Sequence, residues 1–412
     1  MLAPWSHATA PLGGQGGGRE LSNVDASSVT VRMRSRAAEL GRSIEARPWQ
    51  EAAAVLVTTR LMFLGVAYAA AWYLASGRGA LDQGWLDVWS RWDALHFYSV
   101  AAEGYAEPGS EPHATAFFPG LPLLLRAGIA VGLEPVAAGL LISAVASLVS
   151  FAFLFKLAEH DAGPDAGRRA VTYLAVWPTA VFLVAPYSEA LFLAGAIPSF
   201  YLARKRRWAL AGAFAAVATA ARFAGVFLIF GLVLEFSRQR DFSAARLRQA
   251  AVGAVIALAP LAAYASFLAR ARGDALYFFT DQRLGWGRSL TNPVRSLMNT
   301  WSTWGGADYP SNWIFAWRIE IVAAAAGVGL FAWAVAKREW GYAGYVGATM
   351  AALMASSWYF SIPRMLLSLF PAMVFIAGWT REHPLRHDLV VLAMAPVATL
   401  GVIVFTRGAW FY

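Results

Sequence analysis

Cysteine is absent from the 412 residues, which removes a disulfide framework, a zinc–thiolate site and a thiol nucleophile from consideration. Charge is scarce too: 14% of residues are Asp, Glu, Lys or Arg, against about 25% in a soluble domain. Lysine is nearly missing, since Lys156, Lys205 and Lys337 are the only three among 34 basic residues. Apolar residues make up 58% of the chain, where about 45–50% is ordinary. That balance excludes an ordinary cytosolic enzyme. The net charge of +9 would suit nucleic acid, but the arginines stand in short clusters between apolar runs. Such a pattern, with 18 Trp to occupy membrane–water boundaries, belongs to an all-α polytopic membrane protein.

Residues 1–50 lack an apolar run and hold the low-complexity stretch Gly13-Gly14-Gln15-Gly16-Gly17-Gly18, so a disordered basic arm is expected there. No signal-peptide core precedes the first membrane helix, which reads as an uncleaved anchor. Arg32, Arg34, Arg36, Arg42 and Arg47 stand just before that helix and place the arm in the cytoplasm by the positive-inside rule. The remainder, 51–412, reads as one transmembrane domain. Residues 52–75 and a series of later apolar stretches give about 10–12 membrane segments, each spanning one needing about 20 residues. Basic clusters at Arg204–Arg207, Arg238–Arg248, Lys337-Arg338 and Arg381–Arg386 are assigned to the cytoplasm. With that assignment, one of the four stretches between residue 116 and Arg204 must be re-entrant or interfacial. The stretches 170–186 and 189–203, broken by Pro178, Pro186 and Pro198, are the candidates; irregular backbone at membrane depth lines a cavity or is packed in protein.

Two long loops, 76–115 and 270–312, fall outside the membrane in this topology, on the extracytoplasmic side. The second carries Arg270, Arg272, Arg283, Arg288 and Arg295 against the positive-inside trend, which favours service to an anionic ligand. In the first, Trp85, Val88, Trp89, Trp92 and His96 recur at one helical face, predicting an interfacial helix that lies flat in the headgroups. Asp93 sits at the edge of that stripe. A carboxylate partly desolvated by indoles has a raised proton affinity and suits a general base; an interfacial helix with an incidental aspartate is the competing reading. Asp93 and His96 with Glu111 and His113 could be imagined around a divalent metal, but no ligand motif is present, and neither metal nor cofactor is expected.

Three buried-looking charges stand out. Arg222 interrupts an apolar run whose two ends are both basic, so the run should turn back near its middle with Arg222 at the tip. Glu189 follows Pro186 at a similar tip, and Arg364 begins a helix beside Pro363. Ionisable groups within membrane segments are functional candidates; a structural Glu–Arg pair or interfacial anchoring is the alternative for each.

The blocks Arg91-Trp92-Asp93-Ala94-Leu95-His96-Phe97, Glu103-Gly104-Tyr105 and Phe117-Phe118-Pro119-Gly120-Leu121-Pro122-Leu123 resemble the opening signature of the glycosylphosphatidylinositol mannosyltransferase II (PIG-V-like) family. The resemblance continues through Trp177–Phe182, Pro186–Phe192 and Ala221–Gly225, and more weakly at Asp281–Trp286 and Ser361–Arg364. It implies a GT-C-like multi-helix glycosyltransferase that takes a sugar, by family mannose, from a polyprenyl-phosphate donor to a glycolipid or envelope-glycan acceptor on the extracytoplasmic face. Asp93 corresponds to the family's catalytic acidic residue. Arg91, Trp92, His96, Tyr187, Glu189, Arg222, Gln282, Trp286 and Arg364 are the candidates for substrate binding. The Ala-, Arg- and Gly-rich composition suggests a bacterial plasma membrane. A transporter or flippase of lipid-linked sugars is the competing class.

Overall fold

The computed structural model describes residues 26–74, 84–105, 112–304 and 311–411. The chain divides into two units, Met1–Arg47 and Pro48–Tyr412, and the second is the subject below. Residues 1–25 of the expected arm, Glu111, and parts of both long loops lie outside the described residues.

Helix α1 runs Ala26–Tyr73, and its Arg47–Tyr73 portion is long and apolar enough to cross a membrane. A 3-10 turn at Asp87–Trp89 precedes α2 (Asp93–Glu103). After a second 3-10 turn at Ala114–Ala116 come α3 (Gly120–Ala130) and the 28-residue α4 (Pro135–Ala162). The start of α4 is fixed by Glu134, whose carboxylate accepts from the Val136 and Ala137 N–H groups at 3.0 and 2.9 Å, with proline at the first helical position. Helix α5 (Ala166–Ala175) stops just before Trp177-Pro178, because the residue preceding proline is driven out of the helical region. A 3-10 turn at Ala180–Leu183 leads to α6 (Ser188–Arg204). Neither half of this segment is long enough to cross alone, as the prolines predict.

Helices α7 (Trp208–Ala221) and α8 (Gly225–Arg238) form a hairpin whose open ends are tied by Arg206 to Asp241 at 3.3 Å and by Gln239 Nε2 to the Ala203 carbonyl at 2.9 Å. Arg222 is therefore at the tip. Helix α9 (Ala244–Arg272) crosses α7 at Gly212 and Gly253, where a Cβ on Gly212 would fall 2.1 Å from the Gly253 carbonyl oxygen. Small residues let membrane helices approach this closely. The second long loop folds into α10 (Tyr277–Trp286) and α11 (Pro293–Trp304). The chain ends with α12 (Ser311–Ala336), α13 (Trp340–Met354), α14 (Ile362–Ser368), α15 (Pro371–Thr380) and α16 (Pro384–Thr406). The axes of α14 and α15 differ by 73° across a short break.

The described residues are thus all-helical apart from one isolated bridge, Leu290 to Ser356. Among the described residues five helices can cross a membrane by length and composition, six if the bent α14–α15 pair counts as one span. The other apolar segments expected from the sequence are shorter helices stacked among these. The molecule is a multi-pass membrane protein.

One sequence expectation fails in this region. Residues 85–96 are not one striped helix: Ser90 has ψ 75° and Trp92 has φ 52°, which breaks the helix between the 3-10 turn and α2. The stripe splits accordingly. Trp89 is buried against Phe405, whereas Trp85 and Trp92 are exposed. Apolar periodicity reports which residues seek cover, and here they find it on two separate elements.

Candidate active site

Four helix ends meet on one side of the bundle. The break at Trp92 puts Asp93 in the first turn of α2. The Pro186 break puts Glu189 in the first turn of α6. Arg222 closes α7, and Arg364 lies in the first turn of α14, behind Pro363. Their side chains join into one chain of ion pairs. The Arg364 Nη1 donates to Asp93 Oδ2 at 2.7 Å, its Nε donates to Glu189 Oε1, and Arg222 Nη1 donates to the same Glu189 oxygen. Glu189 is fully buried, while the Arg364, Arg222 and Asp93 side chains are 12%, 18% and 27% exposed. Two guanidiniums and two carboxylates cancel, which is what a poorly hydrated site requires of its charges.

The surroundings of Asp93 differ from the sequence expectation. Its partner is the Arg364 guanidinium, and the neighbouring Trp92 is exposed. Tyr187 supports the same corner from below: its hydroxyl donates to the Arg91 carbonyl at 2.9 Å and accepts from the Asp93 N–H at 3.2 Å. Burial first, then the adjacent Asp93, push the Tyr187 phenol well above its ordinary range, so it is a neutral group. The Arg364 guanidinium rests over the Phe182 and Tyr187 rings at 4.6 and 4.7 Å, a contact that holds a desolvated cation in place.

Asp93, Arg222 and Arg364 line a cavity of about 820 Å³ together with Gln282, Arg283, Trp286 and Arg288. Phe117, Phe118, Phe223, Phe227, Phe278 and Phe279 add an aromatic wall to the same cavity. The two long loops close on each other here. Asp281 of α10 accepts from the Thr115 N–H at 3.2 Å and its hydroxyl at 2.5 Å, and stands 3.3 Å from His113 Nδ1. Both loops therefore lie at the same end of the molecule, and α10 is fastened so that Gln282 and Trp286 face the cavity.

Arg288 differs from Arg222 and Arg364. Among the described residues no carboxylate lies within 4.0 Å of it or of Arg283. Its Nη2 donates to the Phe360 carbonyl at 2.9 Å, and its Nε is buried with no hydrogen-bond partner. Burial pulls this guanidinium down to about 10, which still leaves it charged at neutral pH.

Over residues 79–258 the chain matches the family model described as mannosyltransferase (PIG-V). That stretch is PIG-V-like. The chain is 38% identical to mouse GPI alpha-1,6-mannosyltransferase 2 over 28% of its own length and 25% of the relative's. For the Cricetulus griseus protein of that name the figures are 39%, 35% and 31%, and for the human protein 38%, 27% and 24%. The matches thus cover a third or less of these relatives. Among solved structures, Archaeoglobus fulgidus oligosaccharyltransferase overlaps 86% of this chain and 53% of its own at a TM-score of 0.46 and 15% identity, too low a likeness to argue from.

The PIG-V-like stretch contains Asp93, Glu189 and Arg222, whereas Gln282, Trp286, Arg288 and Arg364 lie beyond it and are joined to it by the geometry alone. Of the residues the sequence proposed for substrate binding, Arg222, Gln282, Trp286 and Arg364 reach the cavity, and Tyr187 and Glu189 stand behind its wall. The others do not line it. Arg91 Nη2 donates to the Thr406 carbonyl at 3.3 Å, Trp92 is exposed, and His96 stacks on Phe117 at 4.7 Å.

The sequence reading passed over Asp281 as a loop fastener and Glu320 entirely. Glu320 and Arg60 each interrupt an apolar run, and that signal alone would have singled them out. Arg60 reaches the Leu183 carbonyl at 2.5 Å and Ser147 Oγ at 2.8 Å, so it satisfies the broken backbone before α6. Arg204, one of the basic-cluster residues, is likewise buried and bonds Glu235 and Glu339, each at 2.6 Å.

Proposed function

We propose that the protein is a membrane mannosyltransferase of the PIG-V type, inverting, with a polyprenyl-phosphate-mannose donor and Asp93 as the general base. The observation that carries this reading is the meeting of Asp93 and Arg364 on the wall of a large cavity that also holds Arg288, which has no carboxylate within 4.0 Å among the described residues. The acceptor hydroxyl attacks the anomeric carbon from the face opposite the phosphate. Its proton passes to Asp93, while the bond from the anomeric carbon to the phosphate oxygen breaks and the electron pair leaves with polyprenyl phosphate. A phosphate departs as an anion and needs no proton, so one carboxylate suffices. Asp93 Oδ2 is held by Arg364, and its other oxygen is available to the acceptor.

Arg222 and Arg364 are already neutralised by Glu189 and Asp93. The leaving phosphate therefore falls to Arg288, with Arg283 at the cavity edge, through charge-assisted contacts in a poorly hydrated site. Arg222 and Glu189 act by holding Arg364. The aromatic wall receives the apolar part of a lipid-linked substrate, and the acceptor is a glycolipid or envelope glycan. The reaction side is extracytoplasmic, supported by the basic clusters at the other ends of the helices.

Asp93→Asn tests the reading. Purified protein supplied with labelled polyprenyl-phosphate mannose and a membrane lipid extract should lose about 10²–10⁴-fold in transfer, the ordinary range for a general base, at unchanged expression. Transfer by the variant at the wild-type rate would remove Asp93 from the chemistry. Movement of the donor between leaflets without any mannosylated product would make the protein a carrier.

A further inference from the structure

Glu320 lies within the apolar helix α12, in the portion Ile314–Ala336 that can cross a membrane, and is 1% exposed. A carboxylate at such depth is costly unless its oxygens are bonded. Both are. Oε1 accepts from the Ser361 N–H at 2.6 Å and Oε2 from the Ile362 N–H at 2.8 Å. These are the amides at the start of α14, which have no partner within their own helix. Ser361 and Ile362 are both buried, so bulk water does not satisfy them.

The same peptide group is gripped from its other end. Its carbonyl, that of Phe360, accepts from Arg288 Nη2 at 2.9 Å, while its N–H, that of Ser361, goes to Glu320. Ser361 is held at φ 63°, a left-handed conformation a serine adopts only when its surroundings impose it. Three residues further on, Arg364 extends from the first turn of α14 to Asp93.

From this we infer that Glu320 is a positioning residue for transfer: it caps α14 from a neighbouring helix and thereby sets where the Arg364 guanidinium, and through it the Asp93 carboxylate, stands in the cavity. The inference rests on the transferase reading above. Its chemical logic is that a carboxylate offers two coplanar acceptors to two successive amides; glutamine offers one acceptor and turns a donor toward the second N–H.

The experiment uses the full chain, purified in detergent, with labelled polyprenyl-phosphate mannose as donor and a membrane lipid extract as acceptor source. Turnover is counted per folded molecule, alongside donor KM and the unfolding temperature. Glu320→Gln should lower kcat by about ten- to a hundredfold, the scale of small misplacements at a reacting centre, with donor KM shifted much less. Glu320→Asp, which keeps both acceptors, should recover part of that loss. Combined with Arg364→Lys, the Glu320→Gln loss should not multiply, because both act on one contact. Wild-type turnover in folded Glu320→Gln overturns the inference, as do losses that multiply with Arg364→Lys. Failure of both Glu320 variants to fold also overturns it, since it assigns the residue to the fold. A wild-type protein that transfers no mannose instead sinks the transferase reading.

Discussion

Replacing Glu189 by glutamine is the most informative perturbation of the site, because one oxygen of this carboxylate takes both Arg222 and Arg364. The wild-type cluster is neutral; Glu189→Gln leaves two guanidiniums facing Asp93 alone, a net charge of one, in a place where the three remaining side chains are only 12–27% exposed. Removing one partner of a buried pair costs about 3–5 kcal/mol, which is a large part of a stability of roughly 5–15 kcal/mol. At about 2 °C per kcal/mol, the lower end of the range for sizeable domains, the unfolding temperature should fall by roughly 6–10 °C. Intrinsic tryptophan fluorescence in detergent reads this directly, and mannose transfer should fall with it as Arg364 leaves Asp93. The decisive comparison is the double variant Glu189→Gln with Arg222→Gln, which restores neutrality. It should be more stable than Glu189→Gln alone, with a coupling of about 0.5–3 kcal/mol. Additive losses, or an unfolding temperature for Glu189→Gln equal to the wild type, would refute the view that charge cancellation holds these helix ends together.

Two further outcomes separate the roles of the remaining cavity groups. Arg288→Gln should weaken binding of polyprenyl phosphate, measured by thermophoresis, by about ten- to a hundredfold, since a hydrogen bond to a charged group contributes about 1.5–3 kcal/mol and each 1.4 kcal/mol is tenfold. Unchanged binding would take the phosphate away from Arg288. Treatment with EDTA should leave transfer intact, because Asp93 Oδ2 is occupied by Arg364 and no group of three or more metal-ligating side chains occurs among the described residues. Loss of transfer on chelation, restored by a divalent cation, would require a metal at the reacting centre.

The hairpin around Arg222 was legible because its two basic ends and apolar middle leave one place for the turn. The broken helix before Glu189 was legible because proline rejects the helical interior. The aromatic stripe at residues 85–96 misled, since period counting assumes one continuous helix and Trp92 at φ 52° ends that continuity. His96 stands one turn beyond Asp93 on α2, as its spacing implies, and stacks there on Phe117. Seen singly, Arg222 and Arg364 are unexplained cations; the structure pairs them with Glu189 and Asp93, whereas Arg288 has no carboxylate within 4.0 Å among the described residues.

By itself the sequence determined the membrane setting, the helical class, the proline breaks and the residue types able to do transfer chemistry, because these follow from composition and from local backbone rules. Only the tertiary structure decided which charges meet. Arg364 and Asp93 are 271 residues apart, and no local period records a pairing that arises when two helix ends are packed against a third.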